Sequence, residues 1–304
     1  MDIFITGSTG FVGRALCHEL TLRGHQLRCL VRPGSEGLLL KSSLVRPVSA
    51  NLLAPDQLAP LIKGADAVIH LVGIIREIPS RHITFARLHH KATISIVSAT
   101  ELAGVNRYLH MSANGTRKGA VSNYHQTKWL AEEVVRQSKL NWTIFRPSLI
   151  FGPEDQFINL IASLVRKLPL IPVMGDGEYR MQPVSIGLLV KGFALALERD
   201  KAIGKTYHCG GKDCLSYNKL LDLVGTALGK KSVHKIKQPL CLMRPVVAIM
   251  QHFPFFPMTL DQLQMLVEGN CCDTSEWSAD LDLEPGPLSK DLEYITPSRK
   301  KPRQ

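Results

Sequence analysis

The sequence predicts an α/β protein: a doubly wound parallel-sheet Rossmann fold followed by a smaller, mostly helical C-terminal substrate domain. Short apolar stretches alternate with amphipathic stretches through the first half of the chain, which is typical of a parallel sheet covered on both faces. A glycine-rich turn separates the first apolar stretch from the first amphipathic one. With 304 residues, 45% hydrophobic and 21% charged, the chain can build a sizeable core, which excludes a disordered or collagen-like protein.

Strand and helix patterns follow each other regularly up to residue 150. Continuous apolar stretches predict buried strands at Ile3–Thr6, Gln26–Val31, Ala67–Val72, Tyr108–Met111 and Thr143–Arg146, and a weaker strand ends near Ala50. Apolar residues at helical spacing predict helices at Phe11–Arg23, Leu58–Lys63, His89–Ala103 and about Asn123–Lys139.

The pattern changes after Phe151, where loops lengthen, prolines cluster and helical segments outnumber strands. Helices are predicted at Ile158–Lys167, Ser185–Glu198, Ser216–Leu228 and Thr259–Glu268. We therefore expect a Rossmann domain over residues 1–150 and a mixed, mostly helical cap over residues 151–296. Residues 184–200 are expected to pack back on the first domain, and residues 297–304 to form a basic tail.

The segment Gly7-Ser8-Thr9-Gly10-Phe11-Val12-Gly13 lies directly between the first predicted strand and the first predicted helix. Glycines let the backbone turn tightly and approach a pyrophosphate, while unpaired N–H groups and the helix dipole favour an anion. The alternative is a plain strand–turn–helix with spacer glycines, since the pattern alone occurs by chance. Its position at the first strand–helix junction predicts dinucleotide binding.

The residue at the end of the second predicted strand distinguishes a site for NAD(H) from one for NADP(H). An NAD site places Asp or Glu there, about 20 residues after the turn, to accept hydrogen bonds from the ribose hydroxyls. This chain has Arg32 at that position, whose guanidinium cannot accept a hydrogen bond but can bind a 2′-phosphate. NADP(H) is therefore predicted over NAD(H), with an ordinary surface arginine as the alternative.

Tyr124 and Lys128 are four residues apart, on one face of a predicted helix. A nearby cation lowers the pKa of a phenol, so we expect Tyr124 to exchange a proton with a substrate carbonyl or hydroxyl. Ser112, at the carboxyl end of the preceding strand, could donate to the same oxygen. A tyrosine–lysine pair alone could be an ordinary helix surface, but the three residues together predict a catalytic site.

With GxxGxxG, a serine and YxxxK in that order, the sequence resembles the extended and atypical short-chain dehydrogenases/reductases, which are NAD-dependent epimerase/dehydratase-like. It is most similar to bacterial relatives of the NADPH-binding accessory subunit of respiratory complex I. This narrower likeness is carried by Ile69–Gly73, Leu109–Ala113, Arg146–Asp155, Gln182–Val184 and Leu260–Asp273.

The resemblance implies a role for each matching residue. Those that would contact the cofactor are Gly7, Ser8, Thr9, Gly10, Phe11, Val12, Arg32, Asn51, Leu52, Leu71, Val72, Gly73, Tyr124, Lys128, Pro147 and Ser148. The glycine-rich turn would wrap the pyrophosphate, and Pro147 and Ser148 would approach the nicotinamide. Asn51-Leu52 departs from the Asp-hydrophobic pair common near the adenine. The catalytic positions would be Ser112, Tyr124 and Lys128.

These features support an NADP(H)-binding oxidoreductase of the short-chain type, acting on a carbonyl or hydroxyl of an unidentified substrate. The apolar C-terminal sequence suggests a hydrophobic, quinone-like molecule. The first alternative is a non-catalytic, cofactor-binding assembly or stability factor for a membrane respiratory or quinone-biosynthesis complex. A sugar-nucleotide epimerase or dehydratase is a third possibility. The resemblance argues against it, because the interval between Ser112 and Tyr124 is shorter than in the sugar-nucleotide epimerases.

The net charge of +11 is concentrated in two short segments, Lys230–Lys237 and Arg299–Arg303. A nucleic-acid enzyme spreads a basic face through its fold, so no nucleic-acid partner is expected. A basic stretch beside an apolar one is typical of a peripheral protein, so residues 230–258 are a candidate contact with an anionic membrane or a respiratory complex. An apolar helix packed inside the cap is the alternative.

Cysteine usage and the N-terminal pattern predict a cytoplasmic protein, peripheral at the inner face of the cytoplasmic membrane if residues 230–258 bind it. The seven cysteines are odd in number and scattered, so reduced thiols without zinc or disulfides are expected. His89, His90 and His125 lack a metal-ligand pattern and are expected to pack or lie on the surface, so no metal site is predicted. The chain starts directly with a strand pattern and has no apolar run of membrane-spanning length.

Overall fold

The computed structural model describes residues 1–253 and 256–296 and divides into two compact units. The first unit comprises Met1–Ser148, Ile186–Cys209 and Cys272–Glu284. The second comprises Leu149–Ser185, Gly210–Cys271 and the described residues from Pro285 onward. The basic tail predicted at residues 297–304 lies outside the described residues.

The first unit is built on a parallel sheet of seven strands, which confirms the predicted doubly wound Rossmann fold. Numbered along the chain, its strands are β1 (Asp2–Thr6), β2 (Gln26–Leu30), β3 (Val45–Val48), β4 (Ala67–His70), β5 (Arg107–Met111), β6 (Asn141–Pro147) and β11 (Lys205–Cys209). Their order across the sheet is β11-β6-β5-β4-β1-β2-β3, so the chain reverses its direction of travel beside β1. In such a sheet, ligands bind outside the carboxyl ends of the strands at the reversal.

Helices cover both faces of this sheet, namely α1 (Phe11–Leu22), α2 (Pro55–Ile62), α3 (Ala92–Leu102), α4 (Asn123–Gln137), α6 (Ile186–Glu198) and α10 (Ser275–Leu281). On one face, Phe4, Val68 and Tyr108 form a fully buried layer. On the other, Phe145 of β6 stacks on Phe193 of α6 with ring centroids 3.9 Å apart. Because both faces are buried, these strands have continuous apolar sequences rather than alternating ones.

Two segments that the sequence placed in the cap belong to the first unit. Strand β11 pairs with β6 at the edge of the sheet. Residues 272–284, expected within the cap of residues 151–296, also lie in the first unit, where Trp277, Leu281 and Leu283 are buried. Trp277 is 1% exposed and closely approaches Gly192 of α6, while Asp280 accepts a hydrogen bond from the Tyr207 hydroxyl at 2.9 Å.

The second unit contains helices and short strand pairs around a core of its own. Its helices are α5 (Phe157–Lys167), α7 (Tyr217–Ala227), α8 (Leu240–Met250), α9 (Leu260–Glu268) and α11 (Leu288–Asp291). Its strands pair as β7 (Ile150–Phe151) with β10 (Val184–Ser185), β8 (Ile171–Met174) with β13 (Lys235–Gln238), and β9 (Arg180–Met181) with β12 (Leu215–Ser216). The described helices are all too short or too polar to cross a bilayer.

The expectation that every cysteine is a reduced thiol is wrong in the second unit, where Cys214 and Cys271 form a disulfide. Tertiary structure brings these cysteines together from 57 positions apart, around Arg180. The Arg180 guanidinium donates to the Cys214 carbonyl oxygen at 3.0 Å, and the Asn270 N–H donates to the Arg180 carbonyl oxygen at 2.8 Å. No local spacing of cysteines encodes this arrangement.

Candidate cofactor and catalytic site

The glycine-rich turn packs directly on the carboxyl end of β4. Gly7 has a positive φ of 79°, and a Cβ built on it would lie 3.0 Å from the Leu71 carbonyl carbon and 3.1 Å from the Val72 nitrogen. A Cβ at Gly13 would collide with the Gly7 carbonyl oxygen. The backbone fold of this turn therefore requires glycine at both positions.

The start of α1 is suited to an anion. Gly10 occupies the N-cap without a side-chain hydrogen bond, and the first helical turn, beginning at Phe11, contains no acidic residue. The N–H groups of a first helical turn have no intrahelical acceptor and carry the positive end of the helix dipole. Ser8 and Val12 are buried beneath the turn, while Thr9 is fixed through its carbonyl oxygen, which accepts from Arg14 at 2.8 Å. This cradle fits a dinucleotide pyrophosphate.

The predicted adenosine contacts lie at the ends of β2 and β3. Arg32 is exposed just beyond β2, and neither Asp nor Glu occupies the segment between Val31 and Gly34. Asn51 is committed to an Asx turn leading into α2, because its Oδ1 accepts from the Leu53 N–H at 3.0 Å. Leu52 is half-buried against the adjacent apolar core. Arg32 therefore has a side chain available for an anionic ligand, whereas the Asn51 amide is partly engaged.

The predicted nicotinamide side is formed by backbone held in place beyond β4 and β6. The Pro147 carbonyl oxygen accepts from the Asn114 N–H at 2.8 Å, and the Ser148 N–H donates to the Cys209 carbonyl oxygen at 2.9 Å. Gly73, beyond β4, is exposed, and a Cβ there would lie 3.1 Å from the Lys128 ammonium nitrogen. These segments lie at the same carboxyl edge as the glycine-rich turn.

Helix α4 brings Lys128 to that edge. The Ser122 hydroxyl oxygen caps the helix by accepting from the His125 N–H at 3.2 Å. Lys128 is 2% exposed, and its ammonium donates to the Met111 carbonyl oxygen at 2.9 Å. The next residue, Ser112, is also buried, with its Oγ 3.4 Å from Thr116 Oγ1. Lys128 and Ser112 thus meet at the end of β5, and half-buried Tyr124 is one helical turn before Lys128.

The expectation that Lys128 lowers the pKa of Tyr124 is wrong for this arrangement. Burial raises the pKa of Tyr124 to about 12. Burial also lowers the pKa of Lys128 to about 8, although the Glu132 carboxylate opposes that change. Desolvation is the leading cause of the shift for both groups, because burial disfavours the charged form of each. Tyr124 therefore carries its proton at neutral pH.

Three buried histidines surround this lysine, and the sequence singled out only His89, as a packing or surface residue. Burial, together with the Lys128 charge, lowers the pKa of His70 to about 3 and that of His89 to about 2. Burial also lowers the pKa of His110 well below its usual value. All three are therefore neutral. A signal was present for two of them, because His70 and His110 occupy paired positions on adjacent apolar strands.

A second feature that sequence reasoning missed is the fully buried carboxylate of Glu132, one helical turn after Lys128. It accepts from Arg146 of β6 at 2.8 and 2.6 Å and forms an ion pair with Arg136. Among the residues that the structure describes, no three His, Cys, Asp or Glu side chains are grouped to hold a metal ion.

A sequence model described as the NAD dependent epimerase/dehydratase family matches residues 3–210. The chain is 29% identical over 315 residues to "NADH dehydrogenase [ubiquinone] 1 alpha subcomplex subunit 9, mitochondrial" of Arabidopsis thaliana, covering 97% of this chain and 77% of that one. It is 32% identical over 175 residues to ceramide reductase of Caulobacter vibrioides, covering 57% of this chain and 54% of that one.

Among solved structures, UDP-glucuronic acid 4-epimerase from Bacillus cereus, in complex with UDP-glucuronic acid and NAD, superposes with a TM-score of 0.74. The alignment covers 97% of this chain and 99% of the epimerase, at 22% sequence identity. At that identity, the likeness establishes the shared fold.

Proposed function

The chain belongs to the NAD dependent epimerase/dehydratase family, and from this premise we propose that it is an NADP(H)-dependent oxidoreductase of the short-chain type. The observation that carries the proposal is the convergence of Lys128, Ser112 and the glycine-rich turn at one edge of the sheet, with Tyr124 on the same helix as Lys128. A protein that only bound the cofactor would have a use for the Lys128 ammonium but not for the Tyr124 phenol.

Different residues bind different parts of the cofactor. The turn at Gly7 and Gly10 and the start of α1 hold the pyrophosphate, and Arg32 binds the 2′-phosphate through charge-assisted hydrogen bonds. Lys128, whose ammonium donates to the Met111 carbonyl oxygen in this structure, would hold the nicotinamide ribose. When bound, NADP(H) supplies or accepts the hydride.

The catalytic residues handle the proton. With its pKa at about 12, Tyr124 holds a proton that it donates to the oxygen of a carbonyl being reduced, or recovers from an alcohol being oxidised. Ser112 donates a hydrogen bond to the same oxygen, which stabilises developing negative charge. The apolar C-terminal sequence and the name of the Caulobacter relative, ceramide reductase, support a hydrophobic carbonyl substrate.

The test is NADPH oxidation with Tyr124→Phe across a panel of hydrophobic ketones, aldehydes and quinones. We expect turnover to fall by about 10²- to 10⁴-fold with NADPH affinity retained, since only the proton donor is lost. Tyr108→Phe is the matched control, because its buried hydroxyl has no hydrogen-bond partner among the described residues. Equal turnover in wild type and Tyr124→Phe would exclude Tyr124 as the proton donor, and no turnover in the wild type would leave the cofactor-binding assembly factor.

A specific surface favours a second role, attachment to a membrane or to a membrane respiratory complex. On α8 and just beyond it, Leu242, Val246, Ile249 and Phe253 form an apolar stripe at helical spacing, with 63%, 44%, 67% and 46% of their surfaces exposed. The buried contact of α8 is Val247. Exposed Lys230, Lys231 and Lys237 precede the stripe in the sequence, and exposed Arg244 lies on α8 itself.

Apolar side chains beside lysines and arginines suit an anionic bilayer surface, to which each basic residue contributes about 1 kcal/mol. The Arabidopsis relative, by its name a mitochondrial NADH dehydrogenase subunit, supports a respiratory setting. Sedimentation with phosphatidylglycerol vesicles should capture the protein, and Leu242→Ser should weaken capture. Leu102→Ser is the control, because Leu102 is equally exposed, at 63%, on the other unit. Equal capture by phosphatidylcholine vesicles would contradict the electrostatic part of this proposal.

The third reading, a sugar-nucleotide epimerase or dehydratase, predicts that NAD⁺ stays bound through purification. Cofactor extracted from the purified protein tests it directly. NADP(H), or no nucleotide, would argue against an epimerase, while stoichiometric NAD⁺ would favour one.

A further inference from the structure

The turn that precedes α3 is a π-helix, Ala86–Lys91, and it buries one histidine of the candidate site. His89 is 1% exposed, whereas its neighbour His90 is half-buried and Arg87 and Lys91 are exposed. A π-helical turn costs stability and recurs at functional sites because it redirects a side chain that a regular helix would aim elsewhere.

The His89 ring connects two segments of the candidate site. Its Nδ1 lies 2.9 Å from Thr127 Oγ1, on the first turns of α4, and its Nε2 lies 3.1 Å from the Ile74 nitrogen, beyond β4. Ile74 directly follows Gly73, where the Lys128 ammonium also approaches. One imidazole thus spans from the loop after β4 to the helix that carries Tyr124.

The ring has a hydrogen-bond partner at each nitrogen. The Thr127 hydroxyl, which donates to the carbonyl oxygen of Asn123 at 2.8 Å or of Tyr124 at 3.0 Å, can accept from His89 Nδ1. His89 Nε2 lies 3.1 Å from both the nitrogen and the carbonyl oxygen of Ile74, so it can accept from the N–H or donate to the carbonyl. The ring is therefore bonded to both segments whether it is neutral or protonated.

The same ring supports the Tyr124 phenol. His89 and Tyr124 meet edge to face, with ring centroids 5.2 Å apart and planes at 88°. Phe85 stacks on His89 at 5.1 Å and meets Tyr124 at 5.7 Å, also edge to face. Tyr124 therefore stands against a two-ring platform whose orientation is set by Thr127 and Ile74.

We propose that His89 is a positioning residue that fixes the Tyr124 ring and ties it to the loop carrying Gly73. This inference rests on the proposed function, because the position of the Tyr124 ring matters for chemistry only if Tyr124 transfers a proton. His89 itself is assigned no contact with substrate. Displacement of a reacting group by about 1 Å costs as much as 100-fold in rate, so such a support matters for proton transfer.

The experiment is His89→Phe, which keeps a ring on Phe85 but removes both hydrogen bonds. NMR of the protein labelled with ¹³C in its tyrosine rings reports on Tyr124 without turnover, and Tyr124→Phe assigns its signal. We expect His89→Phe to move the Tyr124 signal and to weaken NADPH binding about tenfold by calorimetry. His90→Phe, the matched control on the same turn, should change neither, and His89→Asn, which can still reach Thr127, should partly restore both.

If His89→Phe leaves the Tyr124 signal and the NADPH affinity as in wild type, the positioning role is overturned. Should His89→Phe fail to fold, Thr127→Val provides the same test, because it removes the acceptor of His89 Nδ1 and leaves the ring in place. An unchanged Tyr124 signal in that variant equally overturns the inference. Failure of the proposed function appears elsewhere, as a wild type that does not oxidise NADPH with any substrate of the panel, and leaves the NMR result standing.

Discussion

Glu132 and Arg146 form a two-pronged ion pair in which both carboxylate oxygens accept from one guanidinium, at 2.8 and 2.6 Å. Glu132 lies on α4 one turn after Lys128, and Arg146 lies on β6 directly before Pro147. The pair therefore joins the helix of the proposed catalytic residues to the strand of the proposed nicotinamide contacts. Such a fork fixes direction as well as distance.

Glu132→Ala should lower the free energy of unfolding by about 3–5 kcal/mol, because it leaves the Arg146 and Arg136 guanidiniums without their buried partner. Urea unfolding measures this loss. Glu133→Ala is the control, since Glu133 is 39% exposed and its pair with Arg136 should be worth less than about 1 kcal/mol. Similar losses in both variants would mean that the buried pair contributes no more than a surface pair.

Gly7→Ala should abolish NADPH binding and cost more stability than Gly24→Ala. Both glycines have a φ of 79°, so both substitutions carry a left-handed strain of about 1–2 kcal/mol. A Cβ at Gly24 meets nothing within 4 Å, whereas one at Gly7 presses on Leu71. The difference between the two losses in unfolding free energy measures the steric contact at Gly7. Equal losses would show that contact with Leu71 does not destabilise Gly7→Ala.

Arg32→Ala should reduce NADPH affinity about tenfold or more and leave NADH affinity unchanged, because it removes charge-assisted hydrogen bonds to the 2′-phosphate. Calorimetric titration of both cofactors measures the preference. Lys63→Ala removes the same charge from an exposed residue at the end of α2 and should alter neither affinity. If the Arg32→Ala protein still prefers NADPH, a residue other than Arg32 binds the 2′-phosphate.

His110→Phe should make the protein less sensitive to acid. Burial lowers the pKa of His110 below its unfolded value of about 6.5. Below that pH, His110 is therefore protonated in the unfolded chain but neutral in the folded chain. Each pH unit below 6.5 therefore costs about 1.4 kcal/mol of stability for this residue, and His70 and His89 add losses of the same sign.

Urea unfolding at pH 7.5 and 5.5 tests this prediction. Phenylalanine fits the stacked position between His70 and Tyr108 and removes two ring nitrogens that lack hydrogen-bond partners among the described residues. His18→Gln, at an exposed position of α1, is the control. An unchanged pH dependence in His110→Phe would show that folding does not shift the pKa of His110.

The sequence predicted the parts of the fold that depend on local apolar runs and missed those that depend on distant partners. Strands β1 and β5 lie within one residue of their predicted bounds, since burial on both faces gives an uninterrupted apolar run. Strand β11 was missed because Lys205–Cys209 mixes polar and apolar residues at the edge of the sheet. Helix α8 was expected only as an alternative and without bounds, because Pro245 lies inside it.

The candidate site divides in the same way. The glycine-rich turn and the Tyr124–Lys128 spacing are local, and the structure places both at the carboxyl edge of the sheet. The position of His89 depends on a π-helical turn, which no residue pattern predicts. Glu132 contacts Arg146 only because α4 packs against β6. The error on the pKa of Tyr124 arose from weighing a neighbouring charge without the burial of both groups.

The first unit is assembled from three separate stretches of chain, the last of which ends at Glu284. During synthesis, the sheet therefore lacks its β11 edge, and α1 lacks its partner α6, until well over half of the polypeptide has left the ribosome. A fragment stopped at residue 150 would expose Phe145, the residue that Phe193 covers. No single cleavage point releases either unit intact, so dissection of this protein requires substitutions rather than truncation.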